Sequence, residues 1–368
     1  MRFKHIQAAV TITLIFISIL FFGCQKKTSY ENKSQMIGVK IYNIEGDINK
    51  LFDEWKSLGI NTVFAGVDLI TDEFRNLAKK QNIKVFIILP IFYDPDTLAI
   101  SPELYAITDQ GGKAKEEWVE FVCPSRRDYR KKKIQYIKTL IHNLHPDGIS
   151  LDFIRHFVFW EKVYPHRKAD YIPNTCFDSH CMTKFQSDTD ISIPDSLIQA
   201  SEISEWIEAN CPTQWTDWKC DLITEMIREI TSEVKKIDPK ILVNVHAVPW
   251  RRNDFDGGIR NIVGQNFSDI GEIVDMISPM TYAHMVKREP EWINSVVKDI
   301  AAQTKCKIIP SIQVNKAYLT EPLRIDEFKQ SVVNALAVPS AGVIFWSWEQ
   351  IDASPEKKEL FSSLLRDN

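Results

Sequence analysis

Asp152 ends the strand expected within the stretch Asp147-Gly-Ile-Ser-Leu-Asp152-Phe-Ile-Arg155-His156, and its position suits acid–base chemistry. Gly148, Ser150 and Asp152 share one parity, and Ile149, Leu151 and Phe153 share the other. A period of two puts these sets on opposite faces of a β-strand. The apolar face is expected to pack on helices, and the small face to point into a crowded interior with Asp152 emerging at the C-terminal end. A carboxylate there can act as acid, base or nucleophile, because burial and neighbours tune its pKa. The bland alternative is an ion pair with Arg155 that only shapes the strand end. Asp147, at the opposite end, reads as a fold residue.

A second carboxylate extends the range of chemistry. Glu349 has the best address, at the end of the last strand-like run, followed by Asp68, Asp94, Asp254 and Asp256 after other runs. The parity of Glu349 opposes Trp346 and Trp348, so it either faces the site or serves a helix end. His246 shares parity with Asn244 and is expected at the same mouth, as a polar contact or an acid–base group. Tyr282 and Gln313 close two further runs and can hydrogen-bond a ligand. Trp346 and Trp348 offer flat apolar faces. Lys40, Arg251 and Arg252 can meet anionic groups. No His-Glu-x-x-His or compact His/carboxylate cluster appears, so neither a catalytic metal nor another cofactor is expected.

The elements that would position these residues alternate along the chain. Strand-like runs lie at Met36–Tyr42, Asn61–Asp68, Ile83–Ile91, Asp147–Ile154, Ile241–Val248, Ile273–Tyr282, Lys307–Val314 and Ala341–Trp348. Amphipathic helical stretches separate them, among them Asp47–Leu58, Thr71–Gln81, Arg127–Asn143 and Gln214–Ile237. Such alternation predicts a parallel sheet with helices outside it. Eight units suit a closed (β/α)8 barrel, a TIM barrel of class α/β, in which chemistry sits at the C-terminal strand ends. The alternative is an open doubly wound sheet, but no Gly-x-Gly-x-x-Gly or phosphate loop follows any strand. About thirty residues follow the third run without a clear period, which in a compact domain is usually functional. A long insertion, residues 156–212, follows the fourth run. Its aromatics, Trp160, Tyr164, Tyr171, Phe177, Phe185 and Trp206, are expected to wall a cleft.

The composition is that of a globular protein: 368 residues, 44% hydrophobic, 26% charged, net charge −4. That balance points to no nucleic-acid partner. The N-terminus stands apart, with a basic start followed by an apolar run from Ala8 to Phe22 that is short for a membrane span. The ending Phe21-Phe22-Gly23-Cys24 resembles a bacterial lipoprotein lipobox, which implies cleavage before Cys24 and lipidation of its thiol. The expected organisation is a signal peptide over 1–23, a polar tether over 24–35 and a single barrel domain over 36–368. The expected location is the bacterial cell envelope, anchored to the membrane through the N-terminal lipid, periplasmic or surface-exposed. Cys123, Cys176, Cys181, Cys211, Cys220 and Cys306 remain, and the cluster from Cys176 to Cys220 suggests one or two local disulfides. A zinc site is the alternative, although C-x4-C and C-x8-C fit no common zinc pattern.

The strand from Asp147 to Arg155 resembles the D-G-[IL]-x-[LF]-D-[YF]-I-R stretch of the glycosyl-hydrolase-like family 10 lipoproteins and allied glycosidase-like barrels. Val274-Asp275-Met276-Ile277-Ser278-Pro279-Met280-Thr281-Tyr282 is similar to their sixth strand. Gly342-Val343-Ile344-Phe345-Trp346-Ser347-Trp348-Glu349 is similar to their eighth, whose Trp commonly floors a sugar site. Cys176-x4-Cys181 before Phe185 resembles cysteine-bearing loops after strand four. The resemblance spans most of residues 36–366 and implies a carbohydrate substrate and glycoside hydrolysis, with Asp152 and Glu349 as the carboxylate pair and His246, Tyr282, Gln313, Arg155, Trp346 and Trp348 as sugar contacts. The alternative on the same scaffold is a glycan-binding lipoprotein without catalysis. Chitinase-like barrels carry D-x-x-D-x-D-x-E here, but this chain has Asp147, Ser150, Asp152 and Ile154, and Ala283 stands where an Asp usually follows the sixth strand. Those departures argue against a substrate-assisted, chitinase-type mechanism.

Overall fold

In the computed structural model, residues 35–366 are described. The expected signal peptide, Cys24 and the expected tether up to Ser34 lie outside them. Eight parallel strands form the core: β1 Met36–Ile41, β2 Thr62–Ala65, β3 Lys84–Pro90, β4 Gly148–Asp152, β5 Leu242–Ala247, β6 Met276–Pro279, β7 in two short pieces (Lys307–Ile308 and Ser311–Gln313), and β8 Gly342–Trp346. Each strand pairs with the next in sequence, and β8 returns to pair with β1. The two pieces of β7 bridge the last gap: the first pairs with β6, the second with β8, and Met280 also bridges to Ser311. The sheet thus closes into the expected (β/α)8 barrel.

The helices form where their ends are written. Asp47 caps Ile48–Ser57 by accepting from the Asn49 N–H, and Thr71 caps Asp72–Gln81 by accepting from Phe74. Asn82, at φ 56°, ends the second helix in a left-handed turn. Arg127–Leu144 and Pro212–Ile237 cover β4 and β5 on the outside. The insertion adds two helices with no clear sequence period, Ser179–Thr189 and Ala200–Asn210. No helix among the described residues is long and apolar enough to cross a membrane.

Strand parity sets what fills the barrel. Phe64, Phe86, Met276, Ile309 and Ile344 form an interior cluster separate from the main core, with Met36, Ile88 and Leu242 against it. Above it a polar relay crosses three strands: Asn244 Nδ2 donates to Ser150 Oγ at 2.8 Å, and Ser278 Oγ donates to Asn244 Oδ1 at 2.9 Å. Burying these groups is tolerable because each has its partner. Asp147 is a fold residue as expected: its Oδ2 accepts from the Val85 N–H at 2.9 Å and pins β3 to β4.

Gly148 is required by close approach rather than by backbone angle. A Cβ there would lie 2.3 Å from the Phe86 ring. At Gly66 a Cβ would meet nothing within 4 Å. Gly148→Ala is therefore expected to lose about 1–3 kcal/mol of stability through overpacking, and Gly66→Ala a few tenths at most. Denaturant titration of the two variants checks this, and equal stabilities would contradict the packing account.

Candidate active site

A cavity of about 430 Å³ opens at the C-terminal ends of the strands. Its floor and one side come from strand ends: Lys40 on β1 and Tyr42 after it, Gly66 after β2, Pro90 on β3, Asp152 on β4, Met280 and Tyr282 after β6, and Trp346 on β8. The remaining wall comes from loops. Tyr93 and Trp118 belong to the long segment after β3, Arg155 follows β4, Trp160 and Glu161 belong to the insertion, and Tyr318 to the segment after β7.

Aromatic rings build the walls. The Tyr282 and Trp346 rings stack at 4.6 Å and 23°, and Trp160 lies 5.8 Å from Tyr282. On the far side Tyr93 stacks on Phe153 at 4.9 Å, and Trp118 meets Tyr93 in a T-shaped pair with ring centres 5.7 Å apart. Phe153 takes a left-handed φ of 49°, uncommon for a bulky residue, and its N–H donates to Asp152 Oδ1 at 2.8 Å. Trp118 Nε1 donates to Tyr318 OH at 2.9 Å, which joins the loops after β3 and β7 at the rim. Both rings are partly exposed.

Two carboxylates line this cavity, Asp152 and Glu161. Glu161 is buried, and its Oε2 has no hydrogen-bond partner. Burial lifts its pKa to about 7; the Arg155 charge opposes that shift and the Asp152 charge adds to it. Glu161 therefore holds a transferable proton near neutral pH. Arg155 is itself buried, donates to the His156 and Val158 carbonyls, and lies 4.7 Å above the Phe121 ring. Burial lowers its pKa to about 10 against the opposing charges of Glu161 and Asp152. Lys40, also buried, donates to Tyr282 OH at 3.3 Å. Burial brings it down to about 8, with the Asp152 charge opposing.

Among solved structures, the chain resembles the glycoside hydrolase domain of PgaB (BpsB) from Bordetella bronchiseptica. The TM-score is 0.67 at 13% identity, with 89% of this chain and 98% of that one covered. Two β-galactosidases follow, from the psychrophilic Marinomonas ef1 (TM-score 0.66, 10% identity) and the Antarctic haloarchaeon Halorubrum lacusprofundi (0.64, 11%). They cover 90% of this chain, which spans only 59% and 58% of theirs. The fold is that of glycoside hydrolase barrels. No family model and no curated protein matches the sequence.

The structure brings Asp152, Arg155, Tyr282 and Trp346 together in the cavity and moves four other expected residues elsewhere. Glu349 does not line it. Its Oε1 accepts from the Tyr42 and Asn43 N–H groups at 2.6 and 2.9 Å, tying the end of β1 to the helix Trp348–Asp352. Trp348 begins that helix, is buried, and meets the Trp55 ring edge-on at 5.8 Å. Both corrections share one cause: β8 ends at Trp346, so strand parity stops there. His246 does not line the cavity; its ring is buried 6.2 Å from that of Phe64, and burial takes its pKa down to about 3. Gln313 accepts from the Met285 N–H and donates to the Asn315 carbonyl, holding two loops together. Asp94 pairs with Lys133, Asp254 pairs with Arg251, and neither lines the cavity. Of the insertion aromatics only Trp160 reaches it; Phe177 and Phe185 pack on Trp215.

Sequence reasoning missed Glu161 because it lies in an insertion without periodicity. The available signal was a Glu between Trp160 and Lys162 in the loop after the strand that carries Asp152. Folding raises its pKa from 4.5 to about 7, so the native state binds the proton more tightly. Stability contributed by this group is full below 4.5 and is lost as pH rises through about 7. The total is about 3 kcal/mol. Glu161→Gln is expected to remove that part of the pH dependence. Denaturation of parent and variant from pH 4 to 8 checks it, and parallel stability curves would contradict the assignment.

Proposed function

We propose that the chain is a glycoside hydrolase in which Glu161 is the general acid and Asp152 the second carboxylate. One observation carries this reading: two carboxylates share an aromatic-walled cavity at the C-terminal mouth, and burial keeps one of them protonated near pH 7. Glycosidic cleavage asks for that division of labour. Glu161 delivers its proton to the departing glycosidic oxygen. Asp152 faces the anomeric carbon as base or nucleophile. The stacked Tyr282 and Trp346 rings give the C–H face of a pyranose an apolar floor. The fold shared with glycoside hydrolase barrels is consistent with this reading but does not fix an activity.

The location forms part of the same reading. The basic start, the apolar run from Ala8 to Phe22 and Gly23-Cys24 support export and lipid anchoring at the cell envelope, where the barrel would meet extracellular or periplasmic glycan.

The test uses the full chain beside Asp152→Asn and Glu161→Gln, with reducing-end release recorded over plant, host and bacterial glycans. Each substitution is expected to lower turnover by about 10²–10⁴-fold. The parent's activity is expected below about pH 7 and to fall as pH rises through that value, because Glu161 loses its proton there. In Glu161→Gln the residual activity loses that alkaline limb. Release undiminished in both variants would overturn the pair. Glycan binding by the parent without release from any substrate would favour a binding protein on this barrel.

A further inference from the structure

Three thiols from distant parts of the chain converge beside the barrel mouth. Cys123 ends the long segment after β3, whereas Cys176 and Cys181 belong to the insertion after β4. All three are buried. Their sulfurs and a carboxylate oxygen of Asp178 all lie within 4.8 Å of one another. Cys123 Sγ is 3.0 Å from Cys181 Sγ, and Ser125 Oγ lies 3.1 and 3.2 Å from those two sulfurs. The Ile107 N–H donates to Cys176 Sγ at 3.2 Å. Asp178 Oδ1 accepts from the Cys181 N–H at 2.6 Å, and Oδ2 is paired with Arg126 at 2.7 Å.

The sequence expectation for this region was local disulfides, with a zinc site as the alternative, and all six described cysteines are free. A disulfide would in any case use two of the three sulfurs and leave the third, with the carboxylate, facing it. A metal ion engages all four groups at once. Zinc holds thiolates at about 2.3 Å in a tetrahedron, which puts two sulfurs roughly 3.8 Å apart. That edge lies between the 3.0 Å of the closest sulfur pair and the 4.8 Å bound on the whole set, so small side-chain adjustments reach it. The Ser125 hydroxyl and Ile107 N–H are placed to support thiolates, and the Arg126 guanidinium offsets the negative charge of the ligand set.

We propose that Cys123, Cys176, Cys181 and Asp178 form a structural zinc site that staples the segment after β3 to the insertion after β4. Three sulfurs and one oxygen complete a tetrahedron with no position left for substrate, which marks the site as structural. Sequence spacing hid it, because one ligand comes more than fifty residues before the others. The staple joins the segment that carries Tyr93 and Trp118 to the one that carries Trp160 and Glu161. It goes beyond the glycosidase reading and does not depend on it.

The test takes the full chain purified from zinc-supplemented culture. Bound metal is measured by plasma mass spectrometry and thiol states by alkylation and peptide mapping. About one zinc per chain is expected, with Cys123, Cys176 and Cys181 protected from alkylation until a strong chelator is added. Cobalt(II) in its place is expected to give thiolate-to-cobalt charge-transfer bands and a tetrahedral visible spectrum. Cys176→Ser is expected to weaken zinc binding by about tenfold or more, and Cys306→Ser to leave it unchanged. Where Cys176→Ser fails to fold, Asp178→Asn gives the same readout with every thiol kept. A disulfide between any two of the three cysteines in the freshly purified protein would overturn the site. So would failure of the reduced chain to bind zinc or cobalt on reconstitution.

Discussion

The Phe64 and Phe86 rings fill the axis of the barrel, and the layers above them depend on that filling. They lie 4.9 Å apart and leave no room for a side chain at Gly148. A plugged interior pushes polar function upward, to the last inward position of each strand. On β4 that position is Asp152; beside it, Tyr282 and Trp346 end their own runs. His246 is buried beside the Phe64 ring and does not reach the cavity, and burial together with the Lys40 charge holds it neutral.

Desolvation then does the chemical tuning. The cavity places two cations and two carboxylates in a setting that water reaches poorly. Burial shifts three of them toward the neutral form, Lys40 to about 8, Arg155 to about 10 and Glu161 to about 7. Arg155 spends its guanidinium on the His156 and Val158 carbonyls and on an aromatic face, and stops short of an ion pair with Glu161. Full pairing would return Glu161 to an ordinary carboxylate. The partial distance keeps its proton available.

Much of the barrel was legible because its signals are local. Strand-like runs marked all eight strands, and the helical stretches read from Asp47 and Thr71 begin within a residue of the observed helices. Asp152 was legible for the same reason: one strand's parity fixes both its face and its end. The errors arose where a periodic rule was carried past the element that generates it. The last strand-like run was carried to Trp348 with Glu349 at its end, past Trp346, where the chain had already become helix. Gln313 kept its buried position but was drawn into loop hydrogen bonds that only the folded chain brings within reach. Glu161, Trp118 and Tyr318 lie in aperiodic segments, and their meeting at one cavity is set by tertiary packing. The convergence of Cys123 with Cys176 and Cys181 is of the same kind.

The central claim is that burial, with the charge of Asp152, holds a proton on Glu161. A carboxyl-carbon NMR titration of Glu161 in the full chain, with Asp152→Asn beside it, reads this without a substrate. The account predicts a midpoint near 7 in the parent and a lower one once the Asp152 charge is removed. A parent midpoint in the ordinary carboxylate range, unmoved by the substitution, would contradict it.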